Sequence, residues 1–151
     1  MVYSLLKKAT VRHVEETRRL IDQLTDQAIL SEPVVTGRPL GEVILHMIRS
    51  LEYYSRGLAT GVWEALPYKL ETYHSAKSIK ALYEDVVKRV AGHIEVIPAN
   101  SLDEKSDEFN RPATRGEILL EMLEHSIQHR GQVLVYYRLL DIEPAKIPYI
   151  I

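Results

Sequence analysis

Three histidines are spaced so that they could bind one metal ion. His125 and His129 lie four residues apart in an amphipathic segment, so their side chains would project from one helix face about 6 Å apart, a spacing that can chelate an ion. His46 interrupts the apolar run of residues 43–48. Burying such polar side chains is unfavourable unless they satisfy one another or a ligand. The pattern predicts a three-histidine metal site, and the alternative is that the histidines satisfy buried hydrogen bonds.

Three neutral imidazoles on one ion leave at least one coordination position open. Zinc and nickel suit such a site, and the open position can hold water with a pKa near neutrality or a thiol as its thiolate. Since the chain has no cysteine, a nucleophilic sulfur would have to come from a cosubstrate. The zincin motif is excluded because Ser126 stands where that motif has glutamate. The di-iron bundle motif is excluded because the glutamates before His46 and His125 stand four residues away rather than three.

Polar residues near these histidines are candidates for supporting roles, and no catalytic residue is identified among them. Gln132 lies on the ligand face and could hydrogen-bond a ligand imidazole or a bound substrate. Arg130 could bind a substrate carboxylate or be a surface charge. Tyr53 could contact the ligands or pack in the core. Glu121 or Glu42 would close the site as a fourth ligand if the ion were structural.

The sequence gives little indication that the other three histidines bind metal. His13, His74 and His93 stand among charged or loop residues, and each is predicted to lie on the surface. Gly131 follows the histidine pair within a helical pattern, where glycine costs about 1 kcal/mol relative to alanine. Close approach of a neighbouring helix is the expected compensation.

Four segments with the helical apolar period must position these residues, and none shows a sustained period of two. Helices of this length are typical of an all-α four-helix bundle, predicted as one domain over residues 1–151. The connections 61–77 and 98–113 are long enough to cross over a whole helix, whereas the short first connection predicts that helices one and two are antiparallel neighbours. The apolar tail 147–151 is expected to pack on the bundle or on a second subunit. The predicted helices are Val2–Leu30, Pro39–Thr60, Ser78–Ile97, with Ser78 as cap, and Thr114–Leu140, which opens with a capping box.

The composition excludes several classes of protein. The net charge is −2 and no long basic run occurs, which disfavours a nucleic-acid partner. The absence of cysteine excludes disulfides, thiolate ligands and cysteine nucleophiles. Neither a signal peptide nor a segment long enough to span a bilayer is evident. A soluble, cytoplasmic protein without membrane partners is therefore expected.

Two strings resemble the signature of the DinB-like (DinB/YfiT) metalloenzyme family. They are EHSIQHRGQV at residues 124–133, which resembles the family's H-x-x-x-H-R-G-Q on its last long helix, and GEVILH at residues 41–46, which matches the family's histidine on the second helix. The resemblance covers nearly the whole chain by element order. It implies an up-down-down-up bundle, a divalent metal on His46, His125 and His129, and a homodimer formed through helix faces.

The resemblance also implies a reaction class. Characterised enzymes of the family transfer low-molecular-weight thiols or isomerise thiol adducts. The leading hypothesis is a mononuclear metal-dependent enzyme acting on a small molecule, either a thiol S-transferase or a related hydrolase or isomerase. The alternatives are a noncatalytic metal-binding or stress-related interaction protein with a structural metal, and an all-α interaction module without metal.

Overall fold

A computed structural model describes residues 1–148, and these residues form five helices and one small sheet. A short 3-10 helix, Ala99–Ser101, follows α4, and β1 (Lys105–Ser106) pairs antiparallel with β2 (Ala113–Thr114) just before the last helix. None of the helices in this part of the chain combines the length and apolar character needed to span a bilayer. The helices are α1 (Val2–Asp22), α2 (Asp26–Ile29), α3 (Leu40–Thr60), α4 (Ala76–Val96) and α5 (Arg115–Leu139).

Local capping explains where the helices begin and end. α5 begins with the predicted capping box, in which Thr114 and Glu117 satisfy each other's backbone N–H groups. α4 begins earlier than predicted because Ser75 is the cap and Ser78 is the third helical residue that completes the box. α3 ends at Thr60 and is capped by Gly61, whose φ of 76° is a left-handed conformation that glycine adopts without strain.

The first predicted helix, Val2–Leu30, is two helices. α1 ends at Asp22, and the chain restarts as α2 because the Thr25 side chain accepts a hydrogen bond from the backbone N–H of Ala28. α2 packs against α3 through its buried residues Ala28 and Ile29.

The four long helices form an up-down-down-up bundle. α1 runs antiparallel to α4 and parallel to α5, whereas α3 runs parallel to α4 and antiparallel to α5. The contacts between α1 and its neighbours that fix these directions are Tyr3–Ile94, Val14–Tyr83, His13–Ser126 and Leu20–Tyr137. For α3 they are Glu52–Arg89, Ser55–His93, His46–His129 and Leu58–Arg115.

Helices α1 and α3 are antiparallel but are not neighbours, contrary to the expectation from their short connection. Each of them packs against both α4 and α5, so α1 and α3 occupy opposite corners of the bundle. Residues 23–39, which include α2, carry the chain across the bundle end. The predicted crossover is the α3–α4 connection, because it joins two parallel helices.

The C-terminal segment returns to the bundle. Gln23 at the end of α1 donates to the carbonyl of Glu143 at 2.9 Å and accepts from the N–H of Ala145 at 2.7 Å. Ile147 packs against the hydrophobic core, as expected for the start of the tail. The rest of the predicted contact, at residues 149–151, lies outside the described residues.

Candidate metal centre

The antiparallel pair of helices α3 and α5 brings His46, His125 and His129 together. One ring nitrogen from each lies within 4.8 Å of the others. The ring centroids are 5.0, 4.7 and 4.4 Å apart, and three imidazoles on one tetrahedral zinc would have centroids about 5 Å apart. His129 is buried, whereas the other two rings are half-buried and reach solvent. The three rings therefore converge on one point that solvent can approach.

The hydrogen bonds of the α5 histidines fit a metal ion. The Nδ1–H of His129 donates to Oε1 of Gln132 at 2.6 Å, which leaves Nε2 free as a ligand. This Nε2 lies 3.2 Å from Nε2 of His125, close to the separation of about 3.3 Å between two nitrogens on one tetrahedral zinc. Nδ1 of His125 is buried without a hydrogen-bond partner in the described part of the chain. A neutral imidazole that binds an ion through Nε2 carries its proton on Nδ1, so this N–H of His125 would still lack a partner in the described chain.

The electrostatic surroundings of His46 and His125 favour the neutral form of imidazole, which is the form that binds metal. Burial is the largest cause that lowers the pKa of His46 to about 4, and the neighbouring histidines, Arg49 and Arg38 act in the same direction. Burial and then His129 lower the pKa of His125, against a smaller opposing effect of Glu121. Metal binding requires neutral imidazole. The charges around His46 and His125 thus favour the neutral imidazole that the geometry of the cluster requires for metal binding.

Neither carboxylate that could have closed the site joins the three histidines. An oxygen of Glu42 accepts from the backbone N–H of Leu70 at 2.7 Å. Glu121 forms an ion pair with Arg111 at 2.5 Å. Within residues 1–148, the histidine cluster includes no carboxylate. An ion held by the three imidazoles would therefore have an open position.

Aromatic residues border the site on the side of His125. The ring of Tyr54 lies 6.3 Å from that of His125, and the predicted candidate Tyr53 instead contacts Tyr54 and Trp63. Phe109 lies 4.9 Å from Trp63 and 6.3 Å from Tyr54. We call Tyr53, Tyr54, Trp63 and Phe109 the aromatic cluster.

The sequence did not predict the aromatic cluster because two of its members come from the long connections 61–77 and 98–113, which have no helical period. The one available signal is Gly57 on α3. A Cβ at this position would lie 2.2 Å from the ring of Trp63, so only glycine admits the indole there. The cluster places an apolar surface beside His125.

Arg49 is a further residue at the site to which the sequence pattern assigned no role. It lies one helical turn after His46 on α3. Its Nη2 donates to Nδ1 of His46 at 3.0 Å, and its Nη1 donates to the backbone carbonyl of Tyr68 at 2.8 Å. The guanidinium group is half-buried.

Helix α1 contacts α5 at the residue that follows each histidine of the pair. The predicted candidate Arg130 forms an ion pair with Glu16 at 2.8 Å, and the two side chains are 11% and 14% exposed. It therefore binds a carboxylate of the protein itself. One turn earlier, Nε2 of His13 lies 2.7 Å from the hydroxyl of Ser126, the residue after His125.

Two of the three histidines that were predicted to lie on the surface are buried or half-buried. His13 is only 3% exposed, because it belongs to the buried stripe of α1 that also includes Thr10 and Thr17. His93 is half-buried, with Nδ1 3.1 Å from the hydroxyl of Ser55. His74 is exposed, as predicted.

The prediction that a neighbouring helix lies close to Gly131 is wrong. A Cβ there would meet open space within the described chain, because this residue lies on the outer face of α5.

Comparisons with known proteins agree with this architecture. The chain is 22% identical over 129 residues to YjoA of Bacillus subtilis, an uncharacterized protein, and the match covers 83% of this chain and 82% of YjoA. The crystal structure of that DinB-like protein superposes with a TM-score of 0.77 at 19% identity, covering 96% of both chains. A DinB-like protein from Bacillus cereus superposes with the same TM-score at 23% identity, covering 97% of this chain and 95% of the other. The profile of the DinB superfamily matches residues 9–133, so the chain belongs to the DinB superfamily.

Proposed function

We propose that this chain is a metal-dependent enzyme that transfers a low-molecular-weight thiol to a small electrophile. His46, His125 and His129 are the proposed ligands of one divalent ion, zinc or nickel. The observation that carries the proposal is the convergence of three imidazoles on one point, with no carboxylate in the cluster within residues 1–148. A structural zinc site is usually closed by four protein ligands, whereas a catalytic site keeps one position open.

The bound ion would act as a Lewis acid that favours the thiolate form of the cosubstrate. In the transfer, a carbon–sulfur bond forms, the bond between that carbon and its leaving group breaks, and the leaving group departs together with the thiol proton. The protein's own residues orient the reactants. Gln132 fixes the ring of His129 through Nδ1, and the aromatic cluster offers an apolar surface to the electrophile beside His125.

The experiment that tests this function is thiol consumption by zinc-loaded and nickel-loaded protein with a chromogenic aryl halide as electrophile. We expect thioether formation above the rate of the free metal, and its loss in His125→Ala and after chelation. His74→Ala is the matched control, because it removes an exposed histidine that contacts none of the three. A metal that binds tightly without any turnover across a panel of thiols would instead support the structural-metal alternative.

We further propose that the chain forms a homodimer through the outer face of α5. Leu120, Ile127, Val135 and Leu139 are between 44% and 53% exposed, and Gly131 on the same face meets open space. Exposed apolar stripes of this kind mark protein interfaces, and a twofold axis buries one patch against its own copy.

The Ile127→Glu substitution is expected to convert the dimer into a monomer, because it would bury two charges at the interface. Size-exclusion chromatography with light scattering gives the mass directly. Ala81→Glu adds the same charge on the exposed side of α4 and should leave the mass unchanged. A wild type that is monomeric at all concentrations would refute the proposed interface.

A further inference from the structure

Arg49 is a half-buried guanidinium group whose partners are unusual for its charge. Its hydrogen bonds go to a ring nitrogen of His46 and to the carbonyl oxygen of Tyr68. Both acceptors are neutral, and within residues 1–148 no carboxylate lies at ion-pair distance from it. A guanidinium forms its strongest hydrogen bonds with anions, in paired geometry with a planar carboxylate. Arg49 therefore lacks the kind of partner that it binds best.

The carboxylates around the site are already engaged. Glu42 accepts from the backbone of the α3–α4 connection, Glu121 pairs with Arg111, and Glu52 is held by Arg89 at 2.6 Å. Arg38 adds a second positive charge that acts on His46. A divalent ion on three neutral imidazoles would add two further charges. Such a concentration of positive charge attracts an anion from solution.

Metal binding would also remove one of the two acceptors of Arg49. The guanidinium has only donors, so Nδ1 of His46 must offer it a lone pair. If His46 binds the ion through Nδ1, that lone pair is used in the metal bond. If it binds through Nε2, the neutral ring carries its proton on Nδ1 and cannot accept. In either case Nη2 of Arg49 loses this acceptor, while the carbonyl of Tyr68 still holds Nη1.

We propose that Arg49 is the residue that binds the anionic group of the substrate, and that the cosubstrate is a thiol that carries a carboxylate. This inference rests on the proposed function, because the sulfur and the carboxylate of one small molecule would occupy the open metal position and Arg49 together. The Tyr68 carbonyl restrains the guanidinium, so little conformational freedom is lost when the carboxylate binds.

The test compares two small thiols, 3-mercaptopropionate and 2-mercaptoethanol, by isothermal titration calorimetry on zinc-loaded protein at low ionic strength. We expect wild type to bind the carboxylate thiol about tenfold more tightly, as one charge-assisted hydrogen bond allows. Arg49→Gln is expected to lose this preference, so that its affinities for the two thiols become nearly equal. The two thiols differ in acidity, but this difference is the same for every protein. It therefore cancels when the ratio of the two affinities is compared between wild type and variant.

Two further variants complete the design. Arg19→Gln removes the same charge from an exposed position on α1 and should retain the full preference. Arg49→Lys keeps the charge but lacks the planar guanidinium, so it should show an intermediate preference. This variant serves as the test if Arg49→Gln does not fold.

The outcomes separate the two proposals. Equal affinity of wild type for both thiols, or an unchanged preference in both Arg49 variants, overturns the role of Arg49 and leaves the metal-dependent thiol function standing. A zinc-loaded protein that binds neither thiol overturns the proposed function and this inference together. A protein that takes up neither zinc nor nickel does the same.

Discussion

Zinc-loaded wild-type protein is expected to melt about 10 °C above its metal-free form, and the His125→Ala variant is expected to show no such shift. A ligand present at about a thousand times its dissociation constant stabilises the folded state by about 4 kcal/mol, which in a domain of this size corresponds to about 10 °C. Removal of His125 leaves two imidazoles, because the other nitrogens of the cluster belong to His46 and His129. Two neutral ligands do not make a closed or well-defined zinc site.

The measurement combines thermal melts with the metal content of untagged protein that has never contacted a nickel column. Mass spectrometry should find about one divalent ion per wild-type chain and none in the variant, and His74→Ala should behave as wild type. The single tryptophan, Trp63, belongs to the aromatic cluster beside His125, so its fluorescence should also be quenched by cobalt. Identical melts of both proteins with and without metal would show that the histidines are structural.

The helices and the histidine pair of α5 could be predicted because their signals are local, whereas the order of the bundle and the full set of three histidines followed from the resemblance to the DinB-like family. A helical apolar period fixes which face of each helix is buried, and a spacing of four places His125 and His129 on one face of a helix. The isolation of His46 within an apolar run then pointed to a partner on another helix. The long α3–α4 connection allowed the parallel pair that the up-down-down-up order requires, and the observed contacts between α3 and α4 confirm that order.

The remaining parts of the site depend on contacts between distant segments, which no local pattern records. Trp63 and Phe109 reach the site from connections without a period, and Arg49 could only be recognised once its ring partner was placed. Charged residues lie close to His13 in the sequence (Arg12, Glu15 and Glu16), and this hid its place on the buried stripe of α1. The start of α4 was predicted too late for a related reason, since Ser75 and Ser78 are both acceptable caps and the tertiary structure decides between them.

The buried contact between His13 and Ser126 should make the protein sensitive to acid. Burial is the main cause, with the charge of Arg130 second, that lowers the pKa of His13 to about 3 from an ordinary value of 6.5. Between these values the unfolded chain binds a proton that the folded chain does not, so stability is lost as the pH falls through this range. From pH 7 to pH 5 the expected loss from this residue is about 2 kcal/mol.

Urea denaturation of metal-free protein at pH 7 and pH 5 measures this loss. His13→Gln keeps a polar group opposite Ser126 without a proton to gain, so its free energy of unfolding should fall by about 2 kcal/mol less than that of wild type over the same interval. The comparison removes the contributions of His46 and His125, which titrate in both proteins. His74→Gln should retain the full loss, because this side chain is exposed. The same pH dependence in wild type and His13→Gln would mean that His13 accepts its proton in the folded state. The contact between neutral His13 and Ser126 would then not be needed to hold α1 against α5.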